Sequence, residues 1–344
     1  MDLGFEAAKG AAEKVTGIKL PVWMRMVLPG LLVTGVLYRT TAWALHYLPG
    51  DPDHAWLRLV AYAALVLVSG ALVSTLNSEV YKIYEGRIFW PRRLFDWGKA
   101  RQQARVTKLL ARANAARSQA EYDEIWYQLR IYPTDDKADP QATHPTRIGN
   151  ILAGYEQYPT TRYNMDSVFY WPRIWLQLEK EKKEEIDSQW SLADGFLTLS
   201  AVSILGGLSW IAQALIATVS GFGRSAVPTG SLWVAPVAGL ALIALGYLWY
   251  RLSLPFHREN GEVFKSIFDI YRSKVWDMTS LKPHEKQAWY AAWAYLQYQL
   301  IICPNCGQAT GVQSDTCQNC GFGLKEAKRN LDSSGTLPTP SKES

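Results

Sequence analysis

Apolar residues in this chain are concentrated in four long stretches, which come in two closely spaced pairs. The stretches are 25–48 and 56–76 in the first pair, and 192–220 and 232–250 in the second. A helix needs about 20 apolar residues to cross ~30 Å of hydrocarbon, and each stretch is long enough. A buried core helix could account for one such stretch but not for four. The pattern predicts a mainly α protein with four transmembrane helices in two hairpins.

The only four cysteines of the chain form two Cys-x-x-Cys pairs, Cys303/Cys306 and Cys317/Cys320. A gap of two residues lets one tight turn present two thiolates to the same metal ion, and four thiolates satisfy tetrahedral zinc. Two disulfides are the competing interpretation, and they would need an oxidising compartment. The spacing predicts a small zinc ribbon with one structural zinc ion. It leaves no open coordination position for catalysis.

Basic residues are distributed unevenly around the four apolar stretches. The loops within the pairs, 49–54 and 221–231, contain a single basic residue, Arg224. The other flanks contain many: Lys9, Lys14, Lys19, Arg25, Lys82, Arg87, Arg92, Arg93, Lys99, Arg251, Arg258 and Lys265. Because basic segments stay in the cytoplasm, this asymmetry places both termini and the central segment there. Reduced cysteines require the same compartment. We expect a multi-pass protein of the inner (plasma) membrane, surrounded by the lipid bilayer.

Polar segments between and after the spans must be large, since the mean hydropathy of the whole chain is only −0.10. We predict seven segments: a cytoplasmic N-terminal amphipathic segment (1–24), transmembrane hairpin 1 (25–76), a cytoplasmic helical domain (77–190), transmembrane hairpin 2 (191–251), cytoplasmic helices (252–302), the zinc ribbon (303–324) and a disordered tail (325–344). Within the last cytoplasmic helices, we expect one helix at about 284–301 that leads into the ribbon.

A helix predicted at 96–117 has a basic stripe. Its four members recur at i, i+4, i+7 and i+11, which places them on one face: Arg101, Arg105, Lys108 and Arg112. One interpretation is a solvated face, and the other is contact with anionic lipid headgroups, because the helix begins close to the membrane. Nucleic acid is disfavoured as a partner, since a net charge of +5 and one stripe are too little. A capping box, Ser118 to Glu121, predicts the start of the next helix.

Residues 147–173 mix charges of both signs with aromatic residues and prolines. Five charged residues stand out: Arg147, Glu156, Arg162, Asp166 and Arg173. Their cheapest partners are one another, which predicts an ion-paired clamp beneath the membrane. The other interpretation is a site for a ligand or ion at the cytoplasmic mouth of the spans.

Two polar side chains lie deep within apolar stretches. Arg39 lies in the first, where a charge is expensive and often functional, and it either snorkels to the interface or contributes to a pore or site. Gln213 lies in the third, where we expect a hydrogen bond to a neighbouring helix. Three small-xxx-small patterns permit close contact between helices: Gly70-x-x-x-Ser74, Ser203-x-x-x-Gly207 and Ala235-x-x-x-Gly239.

The middle third of the chain resembles uncharacterised bacterial integral membrane proteins. The resemblance is carried by Glu85-Gly86, by Trp90-Pro91 and by the run Arg-x-Gly-Asn…Glu…Tyr-Pro…Arg-Tyr…Asp…Trp-Pro-Arg between Arg147 and Arg173. It implies a bacterial inner membrane and transfers no catalytic residue. Two hairpins with a cytoplasmic domain between them are also similar to bestrophin-type anion channels in topology, although no motif of that family is present.

Catalytic motifs are absent from the sequence: it has no phosphate-binding loop, no Gly-rich dinucleotide turn and no array of histidines and carboxylates that would bind a metal. We therefore expect a non-enzymatic membrane scaffold or signalling component, whose zinc ribbon is an interaction module for a protein partner. The alternative is an oligomeric channel for an ion or small solute. For both we expect a homo-oligomer, and a closed zinc site favours the first.

Overall fold

A computed structural model of the protein describes residues 19–37, 55–135, 139–220, 234–276 and 284–325, and this part of the chain is mainly helical. Its helices are α1 (Leu20–Val36), α2 (Ala55–Thr75), α3 (Asn77–Glu85), α4 (Arg92–Asn114), α5 (Gln119–Leu129), α6 (Arg147–Tyr163), α7 (Ser167–Gln177), α8 (Lys180–Ser220), α9 (Val234–Val275) and α10 (Glu285–Tyr298). Its strands are β1 (Leu300–Ile302) and β2 (Ala309–Gly311), which pair antiparallel. One turn of α1, Trp23–Val27, is π-helical.

Three helical segments are long and apolar enough to cross a membrane: Trp56–Thr75, Lys180–Ile216 and Val234–Val275. They correspond to three of the four predicted spans, so the chain is a membrane protein. Helix α1 is apolar but shorter, and the rest of the predicted first span lies outside the described residues, as does Arg39. Helices α8 and α9 contain 41 and 42 residues. At 1.5 Å per residue each is about 60 Å long, roughly twice what the hydrocarbon requires.

The chain divides into two compact units. The first comprises residues 1–96, 146–148 and 184–260, and the second comprises 97–145, 149–183 and 261–344. The apolar helices belong to the first unit. The second unit contains the helices rich in charged and aromatic residues and the four cysteines.

Glycines bring the helices of the first unit into backbone contact. A Cβ atom at Gly30 of α1 would overlap with the backbone of α2, and one at Gly70 of α2 would overlap with the backbone of α1. A Cβ at Gly239 of α9 would lie 2.7 Å from the carbonyl oxygen of Gly207 on α8. Each of the three predicted small-residue patterns contains one of these glycines. They serve contact between helices of one chain, as close approach of backbones requires.

The second unit has an apolar core built from one face of each of its helices. Its largest fully buried side chain is Trp289 of α10, which meets the ring of Tyr170 edge-on at 5.3 Å between centroids. The hydroxyl of Tyr170 donates to the carbonyl oxygen of Trp289 at 3.1 Å. Bulky aromatic pairs of this kind bury a large area and fix the relative position of their helices. The core thereby holds α10, and the strand that follows it, in place.

Helix ends follow the local sequence signals in one case and depart from them in another. The side chain of Ser118 accepts a hydrogen bond from the backbone N–H of Glu121 at 3.2 Å, so the predicted cap begins α5. Helix α10 ends at Tyr298, before the predicted residue 301. Gln299 adopts a left-handed conformation, with φ of 55°, and the next three residues pair as β1. The pairing of β1 with β2 satisfies the backbone groups that a longer helix would have used.

Candidate metal centre and buried polar network

Two knuckles with the same backbone turn present the four cysteines. In the first, the N–H of Gly307 donates to the carbonyl oxygen of Cys303 at 2.9 Å; in the second, Gly321 donates to Cys317 at the same distance. Both glycines are left-handed, with φ of +72° and +71°, a conformation that residues with a side chain rarely adopt. The sequence therefore needs a glycine after the second cysteine of each pair. The first knuckle lies in the connection between β1 and β2.

The four sulfur atoms lie within 4.8 Å of one another. Two Sγ–Sγ distances, Cys303 to Cys320 and Cys306 to Cys317, are both 3.6 Å. A disulfide would require about 2.05 Å, and all four cysteines are free. Tetrahedral coordination with metal–sulfur bonds of about 2.3 Å places ligand sulfurs about 3.8 Å apart. The cluster is therefore compatible with one metal ion bound by four cysteines.

Backbone N–H groups of each knuckle face the sulfur of its first cysteine. Those of Cys320 and Asn319 lower the pKa of Cys317 to about 6. Burial raises the pKa of Cys303 to about 11, although two N–H groups of its own knuckle act in the opposite direction. Such donors favour the thiolate and orient it as a ligand. A bound cation would favour the deprotonated form of all four groups still further.

A small apolar cluster lies beneath the knuckles. Ile301 and Leu324 are almost fully buried there, together with Cys303 and Cys317. Complete burial of two aliphatic side chains contributes about 2–3 kcal/mol each, whereas binding of a structural zinc ion contributes about 10–16 kcal/mol in small peptides. A metal ion bound by the four cysteines would therefore be the main source of stability for this part of the chain.

No known family matches this chain. Neither a family model, nor a curated protein, nor a solved structure is significantly similar to it.

A polar network lies among the helices of the first unit, and its members were not among the predicted site residues. Arg25 of α1 donates from Nε to Asp194 of α8 at 2.8 Å, and from its Nη1 to Asp187 at 2.7 Å. The hydroxyl of Tyr81 on α3 donates to Asp194 at 2.6 Å. The same hydroxyl lies 3.0 Å from Nε2 of His257 on α9, a side chain that is 2% exposed. Four helices of the unit thus meet through one set of hydrogen bonds.

The number of hydrogen atoms in this network restricts its protonation. Nδ1 of His257 lies 2.8 Å from the carbonyl oxygen of Ser253, which can only accept, so Nδ1 carries a proton. The Tyr81 hydroxyl has one hydrogen and cannot donate to both Asp194 and Nε2 of His257. Complete hydrogen bonding therefore needs one further proton, on Nε2 of His257 or on Asp194.

One signal could have revealed this network from the sequence. Arg25, Tyr81, Asp194 and His257 each lie near the end of a predicted span, at the ends that the basic residues place on one side of the membrane. Opposite charges at the same depth of a helix bundle attract one another and can form an ion pair. The rotation of each helix about its axis decides whether they do, and hydropathy alone does not define it.

The basic stripe predicted on 96–117 occupies the exposed face of α4. Arg101, Arg105, Lys108 and Arg112 are all exposed, whereas the opposite face of the helix is buried. None of the four forms an ion pair with a carboxylate in the described part of the chain. Arg101 lies over the ring of Trp97, with 5.7 Å between the guanidinium carbon and the ring centroid. The stripe therefore presents four cations to whatever surrounds the helix.

Residues 147–173 form α6 and most of α7. Their five predicted charged side chains make different contacts and do not gather in one place. Asp166 caps α7 by accepting from the N–H of Phe169 at 2.7 Å. Arg173 lies over the ring of Phe169, 3.6 Å from its centroid, and lines the same depression as Asp166. Arg162 lines a different cavity. Arg147 belongs to the first unit and Glu156 to the second.

Gln213 lies on α8 with its side chain exposed. No hydrogen bond joins it to another residue of the described ranges. The predicted bond to a neighbouring helix is thus not made within this part of a single chain.

Proposed function

We propose that this chain is a multi-pass protein of the inner membrane that acts as a non-enzymatic scaffold or signalling component, with a zinc ribbon that binds a protein partner in the cytoplasm. The four-cysteine cluster carries the proposal. Four sulfurs within 4.8 Å of one another fit zinc better than a harder cation, which prefers oxygen ligands. All four positions of such an ion would be occupied by cysteine. The metal would then hold the fold in shape and have no open position for a substrate or water.

The proposed topology has four spans with both termini in the cytoplasm. It rests on the distribution of basic residues, which favours the cytoplasm for 77–190 and for everything after α9. In this arrangement α1 and the residues that follow it form the first span. Free thiols in a four-cysteine cluster agree with a reducing compartment.

A protein partner is supported by apolar side chains exposed next to the cluster. Tyr290, Leu296 and Tyr298 of α10 are 40%, 42% and 56% exposed, and Phe322 in the second knuckle is 40% exposed. Aromatic residues are enriched in the buried centres of protein interfaces. A metal-stabilised knuckle beside such a helix would hold these side chains in a fixed arrangement.

Two measurements test this proposal. Metal analysis of the purified chain should find about one zinc ion per chain, as expected for a closed four-cysteine site. Site-specific photo-crosslinkers at positions 298 and 322 should capture a defined partner in cells from the wild-type chain. They should fail to capture it from the Cys303→Ser/Cys306→Ser variant at equal membrane abundance. Capture of the same partner by both chains would contradict a role for the ribbon.

A channel formed between copies of the chain is the second candidate, and exposed Gln213 favours it. An amide that faces lipid lacks hydrogen-bond partners, whereas a second copy of the chain can provide one. Contact between copies through α8 would give the homo-oligomer that both functions assume. Ion flux through purified protein in liposomes, with Gln213→Leu as the variant, tests this candidate. Absence of flux at every voltage and pH would reject it and leave the scaffold function standing.

A further inference from the structure

The second unit contains a cavity of about 220 Å³ between α5, α6 and the loop that follows α5. We propose that this cavity binds a small organic anion with a planar, apolar body. This site is separate from the metal centre and does not depend on the proposed function. The argument rests on the charge of the rim, the rigidity of the walls and an unused hydrogen-bond donor.

Three cations surround the cavity: Arg130 at the end of α5, Arg162 on α6 and Lys265 on α9. The residues that line it, within the described ranges, include no acidic side chain. Arg130 and Arg162 are exposed and form no ion pair with any described carboxylate. Lys265 pairs with Glu262 at 3.0 Å and lies 5.8 Å from the ring centroid of Tyr158. The rim therefore has two guanidinium groups available for an anion, which they can bind through paired N–H donors.

Arg130 and Trp126 also line a second, larger and more open depression, which contains Asp123 and Glu124. Neither carboxylate pairs with Arg130. Instead, Asp123 accepts from Gln119 at 2.8 Å and Glu124 accepts from Gln128 at 3.3 Å, both along the same helix. These two carboxylates thus have partners of their own.

The walls of the cavity are fixed by contacts that involve no ligand. The amide of Gln157 bonds both backbone groups of Thr134, accepting at 3.1 Å and donating at 2.8 Å, which holds this residue in place. The hydroxyl of Tyr158 donates to Asp269 at 2.9 Å. A Cβ at Gly154 would lie 2.8 Å from a backbone carbonyl of the loop, so glycine permits the helix and loop to meet. Because the cavity is preformed, little ordering would oppose binding.

Aromatic and aliphatic side chains provide the rest of the lining, including Trp126, Leu129 and Tyr158. The Nε1 atom of Trp126 is buried and has no acceptor among the described residues. Buried N–H groups nearly always have a partner, and an oxygen of a bound molecule would provide one. The volume is below the usual range of about 300–1,000 Å³ for drug-sized ligands. It fits one aromatic ring with one acidic group better than a dinucleotide or a peptide.

Three probes on the full chain in phosphatidylcholine nanodiscs separate the contributions of ring and charge: phenyl phosphate, phenol and inorganic phosphate. Calorimetry should give phenyl phosphate a Kd below about 1 mM, with both partial probes at least about tenfold weaker. Arg130→Ala and Arg162→Ala should each weaken binding about tenfold, as for the loss of one charge-assisted contact. Trp126→Phe, which keeps a ring but removes the N–H, should weaken it severalfold. Arg105→Ala and Arg112→Ala are matched controls on the exposed face of α4 and should leave the Kd unchanged.

Four outcomes would overturn the proposal. Equal Kd values for phenyl phosphate and phenol would show that the rim charge is not used, and equal values for phenyl phosphate and inorganic phosphate would show that the ring is not used. If the cavity variants and the control variants weaken binding equally, the anion binds on the protein surface and not in the cavity. Anionic lipid could also be added to the nanodiscs. If it abolishes phenyl phosphate binding by the wild-type chain and by the α4 control variants alike, the arginines at the rim bind lipid headgroups and not a soluble anion.

Discussion

Asp194 should stabilise the fold more than Asp187, although both carboxylates bind the same guanidinium. The side chain of Asp194 is 15% exposed and that of Asp187 is 49% exposed, while Arg25 between them is 27% exposed. Asp194 accepts from Arg25 and also from Tyr81. Removal of one partner from a buried ion pair costs about 3–5 kcal/mol, and partial exposure reduces this to about 2–3 kcal/mol here. An exposed pair contributes at most about 1 kcal/mol.

Asp194→Asn should therefore lower the free energy of unfolding by about 2–3 kcal/mol and Asp187→Asn by less than about 1 kcal/mol. Reversible unfolding of the purified chain in mixed micelles, followed by circular dichroism at increasing SDS, measures both. Added salt should reduce the effect of Asp187→Asn and leave that of Asp194→Asn nearly unchanged, because buried charges are screened less. Equal destabilisation by the two substitutions, or a larger effect of Asp187→Asn, would refute the reasoning from burial.

Tyr81→Phe tests the same network from its other side. Loss of the hydroxyl removes a partner from Asp194 and from His257 together, which should cost about 1–3 kcal/mol. A cycle with Asp194→Asn should show strong non-additivity, since the two residues share a hydrogen bond. Additive effects would show that the two side chains act independently.

Three further predictions concern the metal, the helix contacts and the membrane surface. Cys303→Ser should reduce zinc from about one ion per chain to nearly none without loss of membrane insertion, and an unchanged metal content would show that zinc is assigned wrongly. Gly207→Leu should lower the free energy of unfolding by about 2 kcal/mol or more, because a side chain there meets the backbone of α9. Gly35→Leu is the control, since no residue of the described ranges lies within 4 Å of a Cβ at that position. Arg105→Glu with Lys108→Glu should weaken binding of the detergent-purified chain to phosphatidylglycerol vesicles at low salt, and equal binding would leave the stripe as a solvated face.

The predictable features of this protein depended on local sequence. Long apolar runs indicated the spans, because a membrane helix needs only length and hydropathy. Two Cys-x-x-Cys pairs brought four sulfurs together, because each knuckle is a single turn and its glycine permits the required φ. Ser118 marked a helix start, since a cap involves only residues within three positions.

The features that sequence reasoning missed depend on residues far apart in the chain. Arg25 and Asp194 are 169 positions apart, and their contact is decided by how two helices rotate about their axes. Hydrophobic periodicity cannot define that rotation for helices that are apolar on all sides. The cavity beside Arg130 and Arg162 was missed for a similar reason, because it requires the register of α6 against the loop after α5. The early end of α10 followed from strand pairing across the first knuckle, which is a tertiary effect.

The π-helical turn of α1 has a consequence for the alignment of its side chains. A π turn accommodates one residue more than an α turn, so the residues before it are rotated about 100° relative to those after it. Arg25 lies inside this turn and faces the carboxylates of α8, while Gly30 lies just beyond it and meets α2. Deletion of one residue from Trp23–Val27 would restore a regular helix. Such a shortened chain could keep its ionic contact or its glycine contact, but it could not keep both.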